Sequence, residues 1–417
     1  MDTGISKEIR RQGNGEADAP ANASNVPAAE LDARLARFAL AMDRTHPDWA
    51  LCAVVGDMNQ YYFTGTICDG LLLIRRGEAP VLWVRRSYER ALRESALGDI
   101  RPMAGFRDVA EQCRALPETL YLDMSAATMD WYDRLSKHLR FVRVRPADNI
   151  LLAVRAVKSP YELDRMRLAG QTIDRLLREA LPPLLREGVS EADLGGELYA
   201  LLIKNGYHGL SRFTMRNAAM MLGHLGFGES PLYPSVFNGA SGLRGLCPAA
   251  PVLGSRDVRL REGDLVYADI GFGIDGYNVD KTVIYSFRRE PPEFVTHAHR
   301  HCLELERLAA SMLIPGARPS DIYEAVCNAV EPAFRAHFMG VPGRSVRFLG
   351  HGVGLYIDEH PVLAKGFDEP LACGMTMAIE PKISLDGIGM VGTENTYCIT
   401  ESGAESLTGD TRDIAVC

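Results

Sequence analysis

Two aspartates in the last 150 residues of the chain are spaced so that a folded hairpin would bring their carboxylates together. Asp269 and Asp280 lie in DLVYADIGFGIDGYNVDKTVIYSF, where alternating side chains predict two strands. Asp275-Gly276 between them predicts a two-residue loop, because a type I′ turn needs positive φ at both central positions. This register pairs Asp269 with Thr282 and places both aspartates on one face, about 7 Å apart at Cα. Two such carboxylates repel each other unless a cation lies between them.

Two glutamates lie in a second predicted hairpin, MTMAIEPKISLDGIGMVGTENTYCIT. A two-residue loop at Asp386-Gly387 would place Glu380 and Glu394 on opposite faces of the hairpin. A three-residue loop over 386–388 places them opposite each other on one face. We favour the three-residue loop, because Gly389 can take the left-handed conformation that such loops use.

His351 adds an imidazole to the four carboxylates. It lies in the segment LGHGVGL, whose glycines allow close backbone approach. Four carboxylates and one imidazole form a hard, oxygen-rich set of ligands. Such a set suits two divalent ions, Mn²⁺, Co²⁺, Fe²⁺ or Zn²⁺, about 3.5–4 Å apart with bridging carboxylates and a bridging water. The predicted ligands are Asp269, Asp280, His351, Glu380 and Glu394.

The order Asp, Asp, His, Glu, Glu, inside a D-x-G, D-G-Y, D-x-T frame, resembles the pita-bread metallopeptidases. That family includes prolidase, aminopeptidase P, methionine aminopeptidase and the non-peptidase creatinase. The resemblance covers about residues 30–410. It implies that Asp269 chelates one metal ion and that His351 and Glu380 hold the other. It also implies that Asp280 and Glu394 bridge the two ions.

The chain departs from the family at positions that would handle the substrate carbonyl. No histidine lies about seventeen residues before Asp269, and Asp358 stands where a second histidine is usual. His224 and His360 are the candidate substitutes, and we expect at least one imidazole nitrogen within about 8 Å of the nearest metal. The alternatives are a loop histidine held by a backbone carbonyl for His224 and a surface histidine for His360.

The resemblance and the ligand set together predict a dinuclear metal-dependent hydrolase. A metal-bridged water would attack an amide or peptide carbonyl, and Glu380 would pass its proton to the leaving nitrogen. By resemblance the substrate is a short peptide with proline in second position, cleaved as by an Xaa-Pro dipeptidase or aminopeptidase. One alternative is a non-peptidase metalloenzyme of the same fold, either a small-molecule amidohydrolase or a lyase. A second is a non-catalytic binding module, against which the five retained ligand types argue.

Composition narrows the protein's class and partners. The net charge of −8 argues against nucleic-acid binding, and no apolar run reaches membrane length. Nine cysteines lie scattered without a CxxC pair, so neither a disulfide framework nor a zinc ribbon is indicated. We therefore expect a cytoplasmic protein that acts on a small molecule or short peptide.

The chain is predicted to contain two domains after a disordered tail over 1–28. Residues 29–155 alternate strands and helices as in an α/β domain, with a helix from Ala29 and a strand over Gln60–Thr64. They resemble the creatinase/prolidase N-terminal domain, which implies a homodimer. Residues 156–417 are predicted to be an α+β pita-bread domain, a curved antiparallel sheet with helices outside. Ser159-Pro160-Tyr161-Glu162 opens its first helix with a capping box.

Two long helices are expected between the aspartate hairpin and His351, over 292–313 and 320–338. The first contains His297, His299 and His301, which resemble a metal cluster on paper. Side chains two positions apart on a helix point about 200° away from each other. A solvated helix face is therefore the preferred interpretation.

Overall fold

The N-terminal part of the chain is built on one mixed six-stranded sheet. This computed structural model describes residues 25–113, 115–215, 218–410 and 412–417. The strands are β1 (Leu51–Val54), β2 (Gly70–Arg75), β3 (Val81–Val84), β4 (Ile100–Pro102), β5 (Thr119–Leu122) and β6 (Arg143–Pro146). The helices are α1 (Ala28–Thr45), α2 (Asp57–Thr64), α3 (Tyr88–Glu94), α4 (Phe106–Gln112), α5 (Met129–Ser136) and α6 (Asp148–Ala156). The strand order is β4-β3-β2-β1-β5-β6, so the predicted α/β class is confirmed.

Two N-terminal predictions are wrong. The segment predicted as a strand over Gln60–Thr64 lies in α2, where Phe63 packs edge-on against Phe38 of α1 at 5.4 Å. Its aromatic run suggested a strand, but burial against a helix overrides that propensity. The predicted disordered tail is wrong for 25–28, since Val26 is buried and α1 already begins at Ala28. Residues 1–24 lie outside the described residues.

Helices cover the C-terminal part of the chain. They are α7 (Pro160–Arg175), α8 (Glu191–Lys204), α9 (Glu293–Met312) and α10 (Pro319–Ala329), with a π-helical turn (Leu176–Ala180) and 3₁₀ turns (Pro182–Leu184 and Ser230–Leu232). The capping box at Ser159 is confirmed, since its hydroxyl accepts from the Glu162 N–H and Glu162 accepts from the Ser159 N–H. α10 ends earlier than predicted, because Pro332 disfavours helical geometry at the preceding residue.

The solvated face predicted for the α9 histidines is wrong for two of them. His297 is exposed, but His299 and His301 are buried. His299 Nε2 donates to the Arg412 carbonyl at 2.7 Å, and His301 Nε2 accepts from the Glu331 N–H at 3.1 Å. These separate structural partners explain the burial without a metal.

The inner layer of the C-terminal part consists mainly of antiparallel strands. They are β7 (Ser211–Arg212), β8 (Ala219–Met220), β9 (Gly223–Phe227), β10 (Leu265–Ile274), β11 (Tyr277–Ser286), β12 (Gly340–Val341), β13 (Arg344–Ser345), β14 (Phe348–Gly352), β15 (Glu359–Ala364), β16 (Thr376–Ile379), β17 (Lys382–Leu385), β18 (Gly389–Gly392), β19 (Asn395–Thr400), β20 (Gly403–Ser406) and β21 (Ala415–Val416). The two larger sheets run β21-β11-β10-β9 and β15-β14-β16-β19-β20. A bridge between Thr282 and Glu394 joins them, and helices outside these sheets confirm the predicted α+β architecture.

Buried polar contacts tie the N-terminal part to the C-terminal part. Arg34 of α1 is fully buried and donates to the Tyr62 carbonyl at 2.8 Å and to the Tyr277 hydroxyl of β11 at 2.7 Å. Arg155 of α6 forms an ion pair with Glu359 of β15, Nη2 to Oε1 2.8 Å, and both side chains are almost fully buried. The position of β15 therefore depends on a residue of the N-terminal part. Among the described residues, no helix combines the length and apolarity needed to cross a membrane.

Acidification is expected to destabilise the fold through His208. Burial lowers the pKa of His208 to about 4, and its Nδ1 accepts from the Gly276 N–H at 3.2 Å, which requires that nitrogen to be unprotonated. In the unfolded state His208 binds a proton below about pH 6.5, whereas in the folded state it binds one only below about pH 4. Stability from this group is thus present above pH 6.5 and falls by up to about 3 kcal/mol as the pH drops through that window.

Urea unfolding between pH 7 and pH 4 measures this effect. His208→Gln should flatten the pH dependence, whereas the exposed His138→Gln should leave it unchanged. Equal slopes for His208→Gln and the parent protein would contradict the assignment.

Candidate metal centre

The hairpin that carries the two aspartates has the predicted register. β10 pairs with β11 so that Asp269 faces Thr282, Gly271 faces Asp280 and Ile274 faces Tyr277. Asp275 and Gly276 form the loop with φ of 50° and 91°, as a type I′ turn requires. The two-residue loop and the shared face of Asp269 and Asp280 are therefore confirmed.

The second hairpin also follows its prediction. Leu385 pairs with Gly389 across a three-residue loop, and Gly389 has a positive φ of 143°. A Cβ at Gly389 would lie 2.2 Å from the Gly228 carbonyl oxygen, so only glycine fits there. Ile379 pairs with Asn395, and Lys382 pairs with Gly392. The register is thus the same on both sides of Pro381, which places Glu380 opposite Glu394.

Three of the predicted ligands come together as a compact group. One potential ligand atom each from Asp280, His351 and Glu394 lies within 4.8 Å of the others. His351 Nδ1 contacts the Gly352 carbonyl at 3.2 Å, and a carbonyl only accepts, so Nδ1 carries the proton. Nε2, 3.9 Å from Glu394 Oε1, is then the ring nitrogen that could bind a metal.

An unsatisfied oxygen in this group shows that a cation fits. Glu394 Oε1 is buried and has no hydrogen-bond partner among the described residues. A buried carboxylate oxygen without a partner is costly. A divalent ion held by Asp280, His351 and Glu394 would satisfy it, so the donor set fits one such ion.

The other predicted ligands surround a lysine that the sequence analysis missed. Lys382 Nζ lies 2.6 Å from Glu380 Oε2, 2.9 Å from Glu394 Oε2 and 3.0 Å from Asp269 Oδ2, and its side chain is 2% exposed. Asp269 Oδ2 also accepts from the Tyr267 hydroxyl at 3.0 Å. The order Glu-Pro-Lys indicates the contact between Glu380 and Lys382, because side chains two positions apart along an extended segment lie on the same side.

The pKa values of the carboxyl groups differ between the two sides of the centre. Burial opposes a charged Lys382, but Asp269, Glu380 and Glu394 raise its pKa well above the ordinary value. Burial would raise the pKa of Asp269, yet Lys382 and His224 lower it to about 2. Burial and neighbouring carboxylates raise the pKa of Asp280 and of Glu394 well above their ordinary values. Lys382 thus stabilises the charged form of Asp269, whereas the pKa values of Asp280 and Glu394 stay above their ordinary values even beside Lys382. A divalent ion next to Asp280 and Glu394 would favour their charged forms.

Both candidate histidines line the cavity above this centre. His224 is buried on β9 opposite Asp269, with Nδ1 2.7 Å from the Ser241 hydroxyl and its ring stacked on Phe237 at 5.0 Å. Burial lowers its pKa to about 4, so it is neutral near pH 7. The backbone-carbonyl alternative for His224 is therefore wrong, because its partner is a side-chain hydroxyl. Its distance from a metal stays a prediction.

His360 lies at the rim of the same cavity. Its side chain is 28% exposed, and Nε2 is 3.9 Å from Glu369 Oε2. Burial lowers the pKa of His360. The neighbouring Asp358 accepts from the Thr214 N–H at 2.6 Å, which holds that carboxylate towards the Thr214 loop.

The cavity is large enough for a small substrate. Its volume is about 470 Å³, within the range of small-molecule sites. The centre's carboxylates and Lys382 lie at its polar end, and its apolar wall is formed by Leu152, Phe213, Met215, Met220, Phe237, Phe348, Ile357 and Val362. Leu152 belongs to α6, so the N-terminal part contributes to the wall. A cavity with an apolar wall and a few converging ionisable groups is a candidate active site.

Known proteins share this architecture. The chain is 26% identical over 380 residues to the Xaa-Pro dipeptidase of Pyrococcus horikoshii, covering 89% of this chain and 96% of that protein. The crystal structure of the prolidase from Pyrococcus horikoshii has a TM-score of 0.75 at 23% identity and covers 92% of this chain and 99% of that one. The Xaa-Pro dipeptidase structure from Bacillus anthracis has a TM-score of 0.77 at 22% identity, covering 93% and 100%. These two structures establish the fold.

Family models cover most of the described chain. Residues 34–157 match the creatinase/prolidase N-terminal domain, and residues 164–401, more than half of the chain, match metallopeptidase family M24. The family implies a hydrolase with a divalent metal cofactor. The chain therefore belongs to metallopeptidase family M24 and carries a creatinase/prolidase N-terminal domain ahead of the metallopeptidase domain.

Proposed function

We propose that this protein hydrolyses amide bonds in short peptides and that Xaa-Pro dipeptides are its first substrate class. The observation that carries the proposal is the buried centre of four carboxylates, His351 and Lys382 at the polar end of a 470 Å³ cavity. Relatives named Xaa-Pro dipeptidase support the substrate class. The domain division after residue 155, the homodimer and the cytoplasmic location stay predictions.

Asp280, His351 and Glu394 are the residues that would hold a divalent ion. The ion would supply Lewis acidity, which polarises a substrate carbonyl and lowers the pKa of a nearby water. The mixed oxygen and imidazole donors suit all four of the ions predicted from the sequence, Mn²⁺, Co²⁺, Fe²⁺ and Zn²⁺.

Glu380 is placed to move the proton. Its Oε2 is held by Lys382 at 2.6 Å, which fixes the carboxylate, and its Oε1 lies 3.6 Å from His351 Nε2. In the proposed reaction Oε1 accepts a proton from the attacking water and delivers it to the leaving nitrogen.

His224 is placed to orient the substrate. Since Ser241 engages Nδ1, Nε2 is the ring nitrogen left for a substrate, and in the neutral tautomer protonated there it donates a hydrogen bond. His360 at the rim would contact the far end of the substrate. Leu152, Phe237 and Ile357 would exclude water around it.

One observation favours a second candidate, the hydrolysis of a small non-peptide amide. Among the cavity-lining residues that the structure describes, Lys382 is the sole lysine or arginine, and three carboxylates already enclose it. The C-terminal carboxylate of a dipeptide would find no free cation in this set, whereas an uncharged amide needs none.

A substrate panel distinguishes the two candidates. Purified protein is assayed with each of the four metals on Ala-Pro, Phe-Pro, Ala-Ala and the corresponding C-terminal amides. A kcat/KM for Xaa-Pro dipeptides above about 10⁴ M⁻¹s⁻¹ supports the dipeptidase. Faster cleavage of amidated or non-peptide amides supports the second candidate. Metal-loaded protein that cleaves no amide would contradict both and point to the lyase or binding-module alternatives.

A further inference from the structure

We infer that the Lys382 ammonium occupies the place of one of the two predicted metal ions, so that the centre is a mixed lysine–metal site with one divalent ion per chain. The inference deepens the proposed function and rests on it only for the identity of the ion as a divalent metal. The alternative is a centre of two ions, in which Lys382 would have to leave the carboxylates.

The contacts of Lys382 use its full hydrogen-bonding capacity. An ammonium group has three protons, and three carboxylate oxygens lie within 3.0 Å of Nζ, one each from Asp269, Glu380 and Glu394. These distances are those of charge-assisted hydrogen bonds. A divalent ion bound to the same three oxygens would lie about 2.0–2.2 Å from each of them. That position overlaps the space that Nζ fills, so the ion and the ammonium cannot both lie among these three oxygens.

The lysine is held in this place by its surroundings. Its side chain is 2% exposed, and its backbone is fixed in β17 by pairing with Gly392 and by the Met339 N–H, which donates to the Lys382 carbonyl at 2.8 Å. Moving Nζ away would leave three buried carboxylates with one fewer cation between them, which is costly.

Glu394 joins the two halves of the centre. Its Oε2 accepts from Lys382 at 2.9 Å and from the Thr282 hydroxyl at 3.0 Å. Its Oε1 has no hydrogen-bond partner among the described residues and faces the His351–Asp280 side, with 3.9 Å to His351 Nε2. Glu394 thus bridges an ammonium and a metal site, as a carboxylate in a two-metal centre bridges two ions.

The number of bound ions tests this inference directly. Metal-free protein is titrated with Mn²⁺ by calorimetry, and bound manganese is counted by elemental analysis and examined by electron paramagnetic resonance. We expect one ion per chain and the spectrum of an isolated Mn²⁺ in the parent protein. Lys382→Ala should bind two ions per chain and show the exchange-coupled signal of ions about 3.5–4 Å apart, because Glu394 would then bridge them.

Three further variants serve as matched comparisons. Lys382→Met removes the charge but keeps most of the volume, so it should still bind one ion. Asp269→Asn should also keep one ion, because Asp269 contacts Lys382, whereas Asp280→Asn should lose the ion or bind it more than about 100-fold more weakly. If Lys382→Ala fails to fold by circular dichroism, the comparison of Asp269→Asn with Asp280→Asn decides the question.

A coupled two-ion spectrum in the parent protein would overturn the inference. One ion in a folded Lys382→Ala would also overturn it, since removing the ammonium would have opened no second site. Loss of metal in Asp269→Asn would do the same. Failure of the proposed function looks different, because a protein that binds one ion but cleaves no amide leaves this inference intact.

Discussion

Asp280→Ala is expected to release the bound divalent metal and to lower kcat/KM by more than about 10³-fold. Asp280 supplies one of the three ligand atoms that lie within 4.8 Å of one another. A catalytic metal contributes several kcal/mol of transition-state stabilisation, which corresponds to at least this factor in rate. Elemental analysis and steady-state kinetics on the same preparation measure both effects.

The control for this prediction is Asp413→Ala, an exposed aspartate that pairs with Arg300 on the surface. It should keep the metal content and activity of the parent protein. Stoichiometric metal in the double variant Asp280→Ala, Glu394→Ala would show that the ion binds elsewhere and would refute the assigned centre.

Glu380→Gln is expected to lower kcat by about 10²–10⁴-fold while KM changes little, the range typical of losing a general base. The amide keeps the size of the side chain but cannot accept the proton of the attacking water. We expect metal content to stay at the parent level, because the compact ligand group consists of Asp280, His351 and Glu394.

Rescue by the conservative variant separates this role from a structural one. If Glu380 is the base, Glu380→Asp should recover part of the rate lost in Glu380→Gln at the metal content of the parent protein. A Glu380→Gln variant that loses less than about 10-fold in kcat would refute the assigned proton transfer. Loss of metal would instead make Glu380 primarily a ligand.

The parts of the site that follow from local chemistry could be predicted from the sequence. Asp275-Gly276 determines a two-residue loop, and that loop alone sets every pair along β10 and β11, including the shared face of Asp269 and Asp280. The three-residue loop before Gly389 likewise sets Glu380 opposite Glu394. In both hairpins a few turn residues determine the register over a whole strand.

The parts that depend on distant contacts could not be predicted. The aromatic run in α2 has the composition of a strand, and only its burial against α1 makes it helical. His224 reaches Asp269 through the pairing of β9 with β10, which no local signal indicates. Lys382 lies two residues after Glu380 in the sequence, but its contact with Asp269 depends on two hairpins meeting.

The buried ion pair between Arg155 and Glu359 has a consequence for dividing this protein into pieces. Glu359 also contacts Lys158 at 3.6 Å, and it directly precedes His360 at the cavity rim. A chain that starts after residue 158 would leave Glu359 buried without either cation, which costs about 3–5 kcal/mol. The metallopeptidase domain is therefore a poor candidate for expression alone. A chimera that exchanges N-terminal domains between relatives would need an arginine at the position of Arg155, so that Glu359 and the cavity rim beside it keep their place.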